Sequence, residues 1–69
     1  MEFDEETKLL INGLDLLGVT PEIITAIISL CDTKDKKNEM MLFMADEIDA
    51  GNKLTESDLL HKAVKISEQ

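Results

Sequence analysis

Apolar residues recur at intervals of three and four along most of the chain, which is the repeat of an α-helix. Capping signals divide this pattern into four stretches, at about residues 4–17, 21–31, 35–50 and 56–67. No stretch alternates apolar and polar residues as a strand would. The sequence therefore predicts an all-α fold, a compact bundle of four short helices that forms a single helical domain over residues 1–69.

Residues with specific backbone preferences mark the ends of these helices. Gly18 stands where the first helix would end in the left-handed conformation. Thr20 is placed to cap the second helix, with Pro21 at its first position, where the missing N–H costs nothing. Thr55 and Asp58 have the spacing of a capping box for the fourth helix. These signals predict sharp boundaries and very short connections.

The second predicted helix is apolar on almost every side. Only Thr25 and Ser29 form a thin polar strip on it. A helix of this kind has to be covered on all sides. We therefore expect it to be the most buried of the four helices, surrounded by the other three or completed by a second copy of the chain. The second possibility predicts a homo-oligomer.

The third helix has a stripe rich in methionine, and its first turn is basic. The stripe consists of Met40, Met41, Met44, Ala45 and Ile48. Methionine is an adaptable core filler, which is the favoured role here, although it also occurs in grooves that bind partners. The polar stretch 32–37 carries three lysines, and cations disfavour a helix amino terminus. We expect this stretch to be a loop or a frayed first turn.

Four apolar residues fall outside these core stripes. Leu9 and Leu16 form a second ridge on the first helix, Leu42 projects onto the acidic side of the third, and Phe43 lies at the edge of the methionine stripe. Surplus apolar side chains on a surface indicate contact with a partner. These four residues are the predicted partner interface.

Charge and cysteine content narrow the classes of function. The chain has 15 acidic residues against seven lysines, contains no arginine, and has a net charge of −8. This surface repels nucleic-acid backbones and anionic membranes. One cysteine, Cys31, allows no internal disulfide and suits a reducing, cytoplasmic location. No apolar run reaches the roughly 20 residues that span a bilayer, and the acidic amino terminus predicts no secretory signal.

Residues 17–27 resemble the turn and recognition helix of the helix-turn-helix motif, which would use residues 10–27 as a whole. Gly18 would be the turn glycine, with Val19, Ile24 and Ile27 at buried positions. The resemblance implies a transcriptional regulator that binds DNA. However, Leu14 stands where the motif places a small residue, and the groove-facing positions include Glu22 and no cation. An ordinary tight turn between two helices explains the same residues.

Candidates for catalysis and for metal or cofactor binding are weak. Cys31 lies in an apolar stretch, and His61 lies on the polar face of the fourth helix. In an EF-hand alignment that starts at Asp32, two of the first three ligand positions are lysines. Asp46 and Asp49 share a helix face, as solvated acids commonly do. We expect no enzyme activity, no cofactor, no metal site and no small-molecule substrate.

The sequence thus favours a small acidic intracellular module that binds another protein or itself. Two alternatives from other classes stay open. One is a helix-turn-helix regulator that uses residues 10–27. The other is an acidic inhibitor that mimics nucleic acid and occupies the basic groove of a target protein. High salt would weaken the binding of a mimic and leave an apolar interface intact.

Overall fold

Four helices make up the computed structural model, which describes residues 4–69. They are α1 (Glu5–Leu16), α2 (Pro21–Leu30), α3 (Lys34–Asp49) and α4 (Glu56–Ser67). Residues 4–69 contain no strand, and every helix boundary lies within one residue of its prediction. The all-α four-helix fold is therefore confirmed. The expectations that involve residues 1–3, on the secretory signal and on the start of the domain, lie outside the described residues.

Side-chain caps and left-handed glycines explain why the helices begin and end where they do. Asp4 and Thr33 accept hydrogen bonds from the third backbone N–H of α1 and α3. Thr55 and Asp58 form the predicted capping box at the start of α4. Gly18 has a φ of +83°, which a residue with a Cβ adopts only at a cost. The predicted end of the first helix is thus confirmed.

The expectation of a loop or a frayed turn over residues 32–37 holds only for Asp32 and Thr33, because α3 begins at Lys34. Thr33 Oγ1 accepts a hydrogen bond from the Lys36 backbone N–H at 3.2 Å, which closes the first turn. The lysines also have acidic partners, and the Lys37 side chain is buried beside α1. Tertiary ion pairs therefore offset the unfavourable placement of cations at a helix amino terminus.

The α1 and α3 helices begin at one end of the molecule, and the α2 and α4 helices begin at the other. Lys34 at the start of α3 pairs with Glu6 at the start of α1, with 3.3 Å between Nζ and Oε1. At the start of α4, the Glu56 carboxylate accepts hydrogen bonds from Thr20 N at 2.7 Å and Thr20 Oγ1 at 2.9 Å. Each helix packs chiefly against two others, in the order α1, α2, α4, α3 around the bundle.

A core of ten buried apolar residues lies between the helices. They are Leu10, Leu14, Val19, Ile27, Cys31, Met40, Met44, Leu59, Ala63 and Ile66. Within α2 only Ile27 is fully buried, whereas Ile24 and Ile28 remain partly exposed. The α2 helix also has the smallest share of exposed residues of the four helices, but the other three do not surround it, because only α1 and α4 pack closely against it. In this arrangement α2 has two main neighbours, so one of its apolar sides faces outward.

Candidate interaction surfaces

The outer side of α1 next to α3 carries exposed leucines. Leu9 is 55% exposed and Leu16 is 87% exposed. They are seven residues apart, which is two helical turns, so both project from the same side of α1. Gly13 lies on that side as well, and a Cβ placed on it would stand 3.0 Å from Met44 Cε of α3. The two predicted interface leucines therefore flank the contact between α1 and α3.

The side of α3 next to α1 is apolar too. Met41, Ala45 and Ile48 recur at intervals of four and three, which places them in one row. Met41 is half-buried, Ala45 is exposed, and Ile48 is 55% exposed. The methionine-rich stripe thus divides, because its Met40 and Met44 enter the core while the end of the row stays outside. The expectation that Ala45 and Ile48 belong to the main core stripe is wrong.

These two rows meet along one line on the surface, which we call the α1–α3 seam. It consists of Leu9 and Leu16 from α1 with Met41, Ala45 and Ile48 from α3. Leu42, which is 64% exposed, lies just outside it, one turn before Ala45. Exposed acids lie next to seam residues in the sequence, with Asp15 beside Leu16 on α1 and Asp46 and Asp49 beside Ala45 and Ile48 on α3. The seam is therefore an apolar strip with acidic neighbours.

Phe43 lies apart from the seam, on the opposite side of α3. Its ring is partly buried against the core, and Lys62 Nζ of α4 stands 5.4 Å from the ring centroid. Phe43 and Leu54 form the apolar floor of an open groove of about 590 Å³ between α3 and α4. The structure therefore brings Leu9, Leu16 and Leu42 to one region and places the fourth predicted interface residue in another.

Lysines gather along this α3–α4 groove. Lys53, Lys62 and Lys65 line it together with His61. The sequence places His61 on the polar face of the fourth helix, and it singles out no lysine of this groove as a binding residue. The pattern within α4 alone gave no signal of the groove, because its other wall belongs to α3 and to the loop that precedes α4.

The outward side of α2 carries a smaller apolar cleft. Ile24 and Ile28 line a space of about 260 Å³ together with Ile11 of α1. Thr25 and Ser29, the predicted polar strip, form its edge. The Thr25 hydroxyl donates a hydrogen bond to the Pro21 carbonyl at 2.9 Å, so it is satisfied within its own helix. The apolar side of α2 that faces away from the core therefore lines this cleft.

Groups suited to catalysis or metal binding are scattered. Burial raises the pKa of the Cys31 thiol, which keeps it protonated and unreactive at neutral pH. His61 lies in the α3–α4 groove, whereas Cys31 is in the core. Among residues 4–69, no three His, Cys, Asp or Glu side chains are placed to hold a metal ion.

The amino terminus of α2 bears on the resemblance to a helix-turn-helix motif. In that motif the amino-terminal residues of the second helix enter the DNA groove. Here Glu56 already occupies this end, hydrogen-bonded to Thr20, and the exposed Glu22 stands beside it. The hydrogen bonds from Thr20 lower the pKa of Glu56, so its carboxylate is charged at neutral pH. Two carboxylates therefore stand where a phosphate backbone would approach.

Comparisons with known proteins found no relative: no family model, no curated protein and no solved structure matches this chain. Within the described residues, no helix has the length and apolar character required to cross a membrane.

Proposed function

We propose that this protein is a small interaction module that associates with a second copy of itself through the α1–α3 seam, without catalytic activity of its own. The observation that carries the proposal is the exposure of large aliphatic side chains along one line of the surface. Leu16 is 87% exposed and Ile48 is 55% exposed, at the end of the seam away from the α1–α3 ion pair.

A second copy of the chain is the proposed occupant of the seam. One self-complementary strip is sufficient for a two-fold dimer, because both subunits use the same surface. A chain of this length has a core that contributes only about 3–5 kcal/mol net, and oligomerisation is one way in which such small domains gain stability. Covering the seam would stabilise the dimer by about 25 cal/mol for each Å² of apolar surface that is removed from water.

The acidic border of the seam sets the conditions under which the dimer forms. Two chains of charge −8 repel each other at low ionic strength. Salt screens this repulsion and strengthens apolar contacts, so the dimer should tighten as salt is added. A buried, protonated Cys31 and the absence of any other cysteine suit a reducing compartment, so we propose that the module works in the cytoplasm.

Sedimentation equilibrium of the full chain, at low and at high salt, tests this proposal. We expect a dimer whose dissociation constant falls with added salt. Leu16→Asp should weaken it at least about tenfold, because a charge would be buried at each of two symmetric positions. The matched control is Val64→Asp on α4, which changes an exposed apolar residue away from the seam and should leave the dimer intact.

Two results would contradict the proposal. One is a monomeric mass at every concentration and salt condition. The other is equal weakening by Leu16→Asp and Val64→Asp, which would point to a general effect of added charge. Association that high salt disrupts would favour electrostatic contacts and hence the mimic of nucleic acid.

A further inference from the structure

The α3–α4 groove has a feature that the seam lacks, namely cations above an apolar floor. Phe43 and Leu54 supply the floor, and both are partly buried against the core. The Lys62 ammonium lies over the Phe43 ring, 5.4 Å from its centroid, so it would swing toward the rim when a ligand reaches the ring. A groove of about 590 Å³ accommodates one or two large side chains of a ligand and leaves the charged rim exposed to solvent.

The lysines of the groove differ from most others in the chain in having no acidic partner. Lys34, Lys36 and Lys37 at the start of α3 each form an ion pair. Across residues 4–69, no such pair involves the three lysines of the groove, which are Lys53, Lys62 and Lys65. Three of the seven lysines of a strongly acidic chain thus gather, without an ion pair among the described residues, around one apolar floor.

The two acids that line the groove are already engaged in local contacts. Glu47 Oε2 accepts a hydrogen bond from Asn52 Nδ2 at 2.8 Å. Asp58 Oδ2 accepts one from Thr55 N at 3.3 Å as part of the capping box. Both carboxylates keep their charge in these contacts, so the three lysines face two acids and the lining carries a formal net charge of +1 from its Lys, Asp and Glu residues. This local charge is opposite in sign to that of the whole molecule.

We propose that the α3–α4 groove binds a short acidic amphipathic peptide segment of a partner protein. An apolar side chain of the segment would lie on Phe43 and Leu54, and its carboxylates would pair with Lys53, Lys62 and Lys65. The site is independent of the proposed dimer, because it lies on the opposite side of α3 from the seam.

A peptide fits this charge distribution better than a nucleic acid does. The cations are confined to one groove, and the chain has no arginine to form bidentate contacts with phosphate. A regular phosphate backbone would extend past the groove onto an acidic surface, where it would be repelled. A peptide with a few carboxylates around one apolar anchor places its charge only where the lysines are.

Chemical shift mapping of the isotopically labelled full chain tests the proposal. The probe is a capped synthetic peptide in which Phe and Leu stand at helical spacing among Glu residues. We expect it to shift the backbone amides around Phe43, Leu54 and Lys62, and salt should weaken its binding. A peptide with Lys in place of each Glu, and one with Ala in place of Phe and Leu, should both bind at least about tenfold more weakly.

Matched charge reversals then locate the site. Lys65→Glu should weaken binding of the acidic peptide about fivefold, whereas Lys8→Glu, the same change on α1, should alter it less than about twofold. Both lysines are exposed, so the fold should tolerate either change. The proposal is overturned if the acidic peptide causes no shifts, if its lysine counterpart binds equally well, or if the shifts lie along the seam. Equal displacement of the peptide by single-stranded DNA would assign the groove to nucleic acid instead.

Discussion

The two sides of α3 present opposite chemistry. The seam toward α1 is aliphatic and bordered by acids, and its exposed side chains lack any charge of their own. The groove toward α4 has an aromatic floor and is lined by three lysines and two acids. One row of buried residues, Met40 and Met44, separates the two sides. A single helix can therefore support two kinds of contact that respond to salt in opposite directions.

This difference explains why α3 looks irregular as an amphipathic helix. A helix that serves only a core has one apolar side and one polar side. In α3, Phe43 extends the apolar surface toward α4, while Ala45 and Ile48 extend it toward α1. The apolar residues therefore spread around much of the helix. Such a spread indicates surfaces for contact as well as a core.

Removing the core beneath both surfaces should have the largest effect. Leu14 is fully buried, and we expect Leu14→Ala to lower the free energy of unfolding by about 3 kcal/mol, through lost burial and the cavity left behind. That loss is comparable with the whole stability expected of so small a domain. Urea denaturation followed by circular dichroism, alongside shift mapping, should show the seam and the groove lost together.

The exposed Leu42→Ala is the matched control for this truncation, with an expected change within about 0.5 kcal/mol. If Leu14→Ala abolished one surface and left the other ordered, the two sides of α3 would not belong to one cooperative unit.

The helices themselves could be predicted from local signals. Caps such as Thr55 with Asp58, and the left-handed Gly18, depend only on neighbouring residues, and the structure has both where the sequence predicts them. The first turn of α3 could not be predicted in this way. It is stabilised by acids of α1, such as Glu6, that lie far from it in sequence.

The candidate surfaces could be predicted only in part. Periodicity within one helix identifies which residues leave the core, so it correctly indicated exposed positions at Leu9, Leu16 and Leu42. It does not indicate which helix packs beside which. The groove depends on that order, because Phe43 belongs to α3 and Lys62 to α4. The same missing information left open whether the other three helices surround α2, which they do not.

Two glycines provide a smaller and local test of the seam. Gly18→Ala should lower the free energy of unfolding by about 1 kcal/mol, because its φ of +83° is strained for alanine. Gly13→Ala should raise it by about 0.5 kcal/mol. Alanine favours a helix by up to about 1 kcal/mol more than glycine, and the new methyl group meets only the flexible end of Met44.

Thermal and urea denaturation of both glycine variants measures this difference. A destabilised Gly13→Ala variant would show that α1 and α3 are packed too closely for Met44 to move. Gly18 lies away from the seam, so its variant should leave the mass of the dimer unchanged.

The smallest expected effect is the loss of stability at low pH. It tests the carboxylates of Glu56 and Asp4, which lie at the two ends of the molecule where helices begin. The hydrogen bonds from Thr20 hold the pKa of Glu56 below its ordinary value of 4.5. Because the pKa is lowered in the folded chain, the carboxylate contributes stability above pH 4.5, and this contribution is lost as the pH falls through the folded pKa. Asp4, which caps α1 by accepting from Thr7, has a lowered pKa for the same kind of reason.

Glu56→Gln and Asp4→Asn, each followed by urea denaturation from pH 7 down to pH 3, test this pair of carboxylates. Each variant should be less stable than the wild type at pH 7 and should lose less stability on acidification, because one contributing carboxylate is gone. Shift mapping should place the Glu56→Gln changes near the groove and the Asp4→Asn changes near the α1–α3 contact. If Glu22→Gln, the same change at another exposed glutamate, behaved identically, net charge would be the cause, and the tie between α2 and α4 would contribute nothing measurable.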